Sequence, residues 1–324
     1  MESTKVPHIA DSRQLLALSK NEILDRISVT HQNEQIMKPY LVLTFGVVSV
    51  AFAAIFIRLA EAHPLVIATY RLSLASLVLA PIAWFRARAE LRKLSRRQLL
   101  FSVASGAFLA LHFALWIASL SYTTVTSSVV LVTASPIFVA VASYLLFREK
   151  ITRRIICGIV VSIIGAIIIG FNNWQLGGTS LHGSILSLLG AMAIAGYLLI
   201  GRRLRQNMGL LSYVFLTYTS AAVFLLITTF IKGASLAGYS GNTYLMFILL
   251  ALIPQLLGHS ALNWSLRYVP ATMVTIAVLG EPVGATILAF FILKEVPAVI
   301  ELVGGVLILA GIAIAFSKNA ADSQ

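Results

Sequence analysis

From Tyr40 onward the chain alternates between long apolar runs and short polar interruptions. Ten runs approach or exceed the roughly 20 mostly apolar residues that a helix needs to cross a bilayer. They are Tyr40–Leu59, Pro64–Trp84, Leu99–Leu120, Thr123–Phe147, Ile155–Phe171, Leu181–Arg202, Leu211–Ile231, Tyr244–Leu266, Thr272–Ile292 and Pro297–Ser317. The runs are continuous and rich in Leu, Ile and Ala, without the alternation of barrel strands, so they predict helices. The connections are short, and none is large enough to fold alone. Residues 1–38 break the pattern with charges from Lys5 to Lys38 and carry no apolar core of signal-peptide length. Leu15, Leu16, Ile23, Leu24 and Ile27 fit either a short amphipathic helix on a membrane surface or a loosely ordered cytosolic tail.

Composition sharpens this picture. Hydrophobic residues make up 59% of the 324 and charged residues 11%, and mean hydropathy is +0.91. A soluble chain has about 25% charged residues with which to clothe its surface. The expected class is therefore an all-α integral membrane protein of ten transmembrane helices. Cys157 is the one cysteine, which excludes an internal disulfide and a cysteine-built metal site.

The net charge of +12 raises the question of nucleic acid, and the placement of the charges answers it. Twenty of the 24 Lys and Arg residues fall on one side of the predicted spans: in the N-terminal tail, in the Arg86–Arg97 loop, at Arg148–Arg154, at Arg202–Arg205, and at Arg267 and Lys318. Lys232 and Lys294 are on the other side, and Arg58 and Arg71 lie within spans. Basic loops stay cytoplasmic. Both termini are thus expected in the cytoplasm of a multi-pass protein of the cell (inner or plasma) membrane, with the lipid bilayer as partner and no nucleic acid.

The fourth and ninth spans match at a constant offset of 146. Tyr122 and Tyr268, Pro136 and Pro282, Glu149 and Glu295, Gly158 and Gly304, and Gly165 and Gly311 all pair in this way. Such a repeat divides the chain into a tail (1–38), two five-helix halves (39–171 and 181–317) and a short C-terminal tail (318–324). Because five is odd, the second half enters the membrane inverted. Inverted repeats are a recurring construction of secondary transporters, with the substrate site between the halves.

"TASP" and "LGEP" within the fourth and ninth runs, and "FREK" and "LKEV" closing them, resemble the EamA-type transporters of the drug/metabolite transporter (DMT) superfamily. The resemblance covers roughly Lys38 to Ser317. It implies a carrier of small organic solutes, amino acids or related metabolites, with export favoured over uptake. Its motifs mark scaffold as much as site.

Polar groups at membrane depth are costly and single out candidate sites. Glu281 lies about 15 Å from either end of its span, at roughly 1.5 Å per residue. Two readings fit it: a proton-coupling carboxyl, or a structural acid bonding backbone loosened by Pro282. The matching position in the first half is Ser135. Arg71, the one cation well inside a span, fits snorkelling to the interface, a structural network, or contact with a substrate carboxylate. Gln255, His259 and Asn263 recur every four residues on one helical face, as do His112 and Trp116 on the third helix. These two faces predict a central, substrate-binding cavity, to which Tyr197 and Tyr218 are placed to add hydroxyls. Pro136 and Pro282 predict kinks at equivalent places. Gly158, Ser162, Gly165, Gly304 and Gly311 read as close-packing scaffold.

No nucleotide-binding loop, paired-aspartate site or H-E-x-x-H occurs, so neither a cofactor nor an enzymatic role is expected. No metal is expected at His112 and His259, which lack completing ligands. The expectation is a secondary transporter of a small-molecule substrate working by alternating access. The alternatives are an uncoupled facilitator or channel and, from another class, an intramembrane enzyme acting on lipid-linked substrates. A homodimer stays open.

Overall fold

The structure is a computed structural model that describes residues 38–147, 152–175, 178–269, 274 and 277–316. The expectations for the N-terminal tail, for Arg148–Lys150 and for the C-terminal tail lie outside the described residues. Contacts divide the chain into Met1–Leu41 and Val42–Gln324, and the helical body belongs to the second unit.

Every long element among the described residues is a helix. In chain order they are α1 (Lys38–Leu59), α2 (Pro64–Arg86), α3 (Arg96–Ser119), α4 (Val125–Val132 and, after a break, Ser135–Phe147) and α5 (Arg153–Gln175). There follow α6 (Gly178–Arg205), α7 (Leu210–Ile231), α8 (Gly241–Ser265), α9 (Gly280–Leu293) and α10 (Val299–Phe316). Seven of these contain a stretch long and apolar enough to cross a membrane; the apolar stretches Ile156–Ile169, Gly280–Leu293 and Val299–Ile314 are shorter. Large apolar side chains such as Phe85, Ile227, Phe291 and Val306 face outward, as a bilayer-embedded surface requires.

Local chemistry sets the helix ends. Pro64 sits at the first turn of α2, where its missing N–H costs nothing, behind the N-cap His63. Ser95 and Gln98 form a reciprocal capping box on α3. This cap explains why α3 begins at Arg96 rather than at Leu99: the charged first turn is helical but lies outside the apolar run. Thr124 caps α4, and its hydroxyl accepts from the Ser127 N–H.

Two prolines shape the middle. The break in α4 falls at Thr133–Ala134, one turn before Pro136, where the ring crowds the preceding turn. The Thr133 hydroxyl donates to the Val129 and Val130 carbonyls there. In the other half Val278–Leu279 form the corresponding turn, ahead of Pro282. The described part of α9 begins at Gly280, later than the expected Thr272. In α8, Pro254 lies within a π-helical stretch, Ala251–His259, which the sequence pattern did not signal.

Helix packing relies on small residues, since lipid offers no hydrophobic drive between helices. On α5 and α10, a Cβ added at Gly165 would lie 2.5 Å from the Gly304 carbonyl, and one at Gly311 would lie 2.5 Å from that of Gly158. Ser162 sits between these contacts and donates to the Ile308 carbonyl. As numbers rise along α5 they fall along α10, so the pair is antiparallel. The other neighbours share this regularity. The pairs α3–α6 and α8–α1, and likewise α7–α3 and α2–α8, exchange when each helix is replaced by the one of equal rank in the other half.

Candidate functional site

Helices from both halves line a cavity of about 60 Å³. Arg71 of α2, His112 and Trp116 of α3 and Ser135 of α4 line it from the first half; His259 of α8 and Glu281 of α9 line it from the second. Thr133, at the break in α4, adds one more hydroxyl, and the remaining wall is apolar: Val50, Ala53, Val132, Ile194, Leu198, Leu262, Val274 and Val278. The repeat-mates Val132 and Val278, and Ser135 and Glu281, all reach this space, because the two broken helices present equivalent turns to it.

Arg71 is wholly buried. Its Nε donates to Gln255 Oε1 at 2.8 Å, and its guanidinium carbon lies 4.0 Å from the centre of the Phe113 ring. Nη1 and Nη2 have no hydrogen-bond partner among the described residues. His112 places Nδ1 3.0 Å from the Gly190 carbonyl and stacks on Trp116, with 5.8 Å between centroids and 13° between planes. His259 meets Phe113 edge-on, with centroids 5.4 Å apart. The arrangement offers a fixed cation, a carboxyl, two imidazoles and an indole whose Nε1 is unbonded among the described residues.

Five of the residues singled out in sequence thus share the cavity wall: Arg71, His112, Trp116, His259 and Glu281. Gln255 stands behind Arg71 and is fully buried. Asn263 and Tyr197 bond each other behind His259, with Asn263 Nδ2 donating to the Tyr197 hydroxyl at 2.5 Å; neither lines the cavity. Tyr218 is buried, 3.3 Å from the Ser260 hydroxyl. Phe113 had no signal of its own in the sequence, whereas Thr133 opens the "TASP" motif. Phe113 is one more aromatic in an apolar run, and its role beneath Arg71 depends on tertiary placement.

A second polar cluster closes the end of the bundle where α4 begins. Glu301, of α10, is buried and accepts from the Thr124 hydroxyl at 2.6 Å, the Ser127 hydroxyl at 2.5 Å and the Ala298 N–H at 3.0 Å. Glu295, in the loop before α10, accepts from the Val125 N–H at 2.6 Å and lies 3.5 Å from Arg58. Burial raises the Glu295 carboxyl above its ordinary range, opposed by Arg58 and by the backbone N–H groups of Val125 and Thr126. These acids tie the second half to the first helical turn of α4.

Comparison with known proteins gives this architecture a context. Residues 37–171 and 181–317 each match the EamA-like transporter family. An uncharacterized transporter of Archaeoglobus fulgidus is 26% identical over 86% of this chain and 96% of its own length. The uncharacterized transporter YdfC of Bacillus subtilis is 26% identical over 58% of this chain and 61% of its own. One solved crystal structure shares the fold, with a TM-score of 0.63 and 13% identity over 86% of this chain and 97% of that one. Two family matches spanning most of the residues, on a multi-pass helical body, make this chain a membrane transporter of the EamA-like family, within the DMT superfamily.

Proposed function

We propose that this protein is a secondary transporter that moves small polar organic solutes, such as amino acids or related metabolites, by alternating access through the central cavity. The observation that carries this reading is the wall itself, built jointly by α2, α3 and α4 of one half and α8 and α9 of the other. A relative movement of the halves would then open it first to one side and then to the other. Ten helices in two inverted halves suit the antiparallel α5–α10 pair and the exchange symmetry of the helix neighbours. With both termini cytoplasmic, the basic loops lie on the inner face, and the polar closure at Thr124, Glu295 and Glu301 lies on the outer face.

Glu281 is the proton-coupling group in this reading. A carboxyl at that depth is stable either protonated or beside a cation, and Arg71 faces the same cavity. Cavity opening or a substrate amino group would change the balance between those two states, linking proton movement to solute movement. Export is the favoured direction.

The test is accumulation of labelled amino acids and metabolites in proteoliposomes, with and without an imposed proton gradient. Gradient-driven accumulation above the external concentration is expected. Equilibration alone, indifferent to the gradient, would replace the coupled carrier by an uncoupled facilitator.

A further inference from the structure

We propose that Arg71 is a carboxylate-binding fork, held in place by Gln255 and Phe113, and that the transported solute carries a carboxylate on a small apolar body. This proposal rests on the cavity being the substrate site and goes on to name the chemistry it selects.

The guanidinium has five N–H groups in a fixed plane. Gln255 takes the Nε edge, and Phe113 covers one face at cation–π distance. What remains is the distal edge, Nη1 and Nη2, without a partner among the described residues, on a side chain with 0% exposure that lines the cavity. A snorkelling arginine would carry its charge to the interface; this one is fixed in the interior. Glu281 shares the wall but makes no hydrogen bond to this edge, and two parallel N–H donors match the two oxygens of a carboxylate. The Nε contact turns the plane so that only this end-on approach is left.

Gln255 owes its position to the π-helical stretch around Pro254, a local distortion common at functional sites. Its own Nε2 is also unbonded among the described residues. Gln255 is thus a positioning residue that acts through Arg71. The apolar part of the wall defines the body of the solute. Val50, Ile194, Leu198, Val274 and Val278 offer apolar contact and few hydrogen bonds. Glu281, on the same wall, is available for an amino group if the solute has one, so a plain acid and a zwitterion are the two sources of the carboxylate.

The experiment measures ligand-induced thermal stabilisation of the full-length, detergent-purified protein as a function of ligand concentration. The probes are leucine, isocaproate, leucinamide and isocaproamide. Either or both acids should stabilise the wild-type protein while the two amides do not. Leucine alone would identify the zwitterion, and isocaproate alone the plain acid. Arg71→Lys, which keeps the charge and loses the fork, should raise the half-effective concentration about tenfold or more. Gln255→Glu gives Arg71 an internal carboxylate without emptying the site, and should weaken the acids to a similar extent. If the amides bind as well as the acids, and Ile194→Trp, which fills the cavity, removes all binding, the carboxylate fork is wrong and the cavity reading stands. If the acids bind Arg71→Lys, Gln255→Glu and Ile194→Trp like the wild type, both readings fail. Absence of any response in the wild-type protein also overturns the proposed selectivity.

Discussion

Ser162 donates its hydroxyl to the carbonyl of Ile308, at 3.2 Å, and the two are 146 residues apart. That separation is the spacing of the internal repeat, so each bonds its own counterpart in the other half. A residue can touch its repeat-mate only near the axis that relates the halves. The flanking contacts, Gly165 with Gly304 and Gly158 with Gly311, are each other's images under the same shift. Because the helices are antiparallel, that axis runs across them rather than along them, the arrangement that the proposed inverted halves need.

This close approach leaves no room for a methyl group. Gly165→Ala and Gly311→Ala each put a Cβ 2.5 Å from a carbonyl oxygen of the partner helix. Each should destabilise the protein by about 1–3 kcal/mol, the usual cost of overpacking. Gly178→Ala, with nothing within 4 Å of its added Cβ, is the control and should be neutral. Melting temperatures in detergent check this; equal values for all three would mean that α5 and α10 do not pack this closely.

The helices were legible because membrane spans announce themselves through composition, and the repeat because Tyr, Pro, Glu and Gly kept one offset through two helices. Arg71 and Glu281 stood out as charges in apolar runs. Their setting was not legible. The Arg71–Gln255 bond joins residues 184 apart, and Phe113 contributes a ring face that no periodicity distinguishes. Asn263 shared a helical face with Gln255 and His259, but one face of a helix covers a wide arc. The π-helical turns rotate that arc, so that His259 reaches the cavity while Asn263 turns to Tyr197. Glu295 and Glu301 lie near the ends of apolar runs in the sequence, and only the tertiary fold brings them onto the N-terminus of α4.

Those two acids should respond differently to amide substitution. Glu301 accepts from three donors. A glutamine whose oxygen keeps the two hydroxyls would turn its NH₂ toward the Ala298 N–H, so Glu301→Gln should cost about 1–3 kcal/mol. Glu295 has its carboxyl pKa raised from 4.5, chiefly by burial. The fold therefore binds that proton more readily than the unfolded chain. The associated stability is present below pH 4.5 and lost as pH rises through the raised value. Its ion pair with Arg58 is partly exposed and therefore weak. Glu295→Gln should melt with the wild type in acid and at or above it near neutral pH. A variant that is less stable only at neutral pH would show that the ionised pair is stabilising.

Orientation has a direct check. Cys157 is exposed and must first be replaced. On that background, Arg92→Cys, in the exposed connection between α2 and α3, should be shielded from a membrane-impermeant thiol reagent in intact cells. Lys232→Cys, in the exposed turn after α7, should be labelled. The reverse pattern would place both termini outside and invert the assignment of the Glu295–Glu301 closure.

Glu281 bears most directly on mechanism. It reaches the cavity alongside Arg71, and its repeat-mate Ser135 lines the same space without an ionisable group. The duplicated scaffold is therefore asymmetric at this position, as the proposed proton coupling needs. A buried carboxylate without a cation would cost several kcal/mol, so its charge state follows whatever shares the cavity. Glu281→Gln keeps the size and the hydrogen-bonding capacity while removing titration. It should leave expression unchanged and abolish the pH dependence of net transport. Exchange of internal for external solute, which needs no net proton movement, should survive better than net flux. Proteoliposomes at a series of pH values, assayed in both modes, separate these outcomes. An unchanged rate and an unchanged pH profile in the Gln variant would make Glu281 a scaffold residue that bonds the backbone before Pro282, and would leave an uncoupled facilitator as the better description.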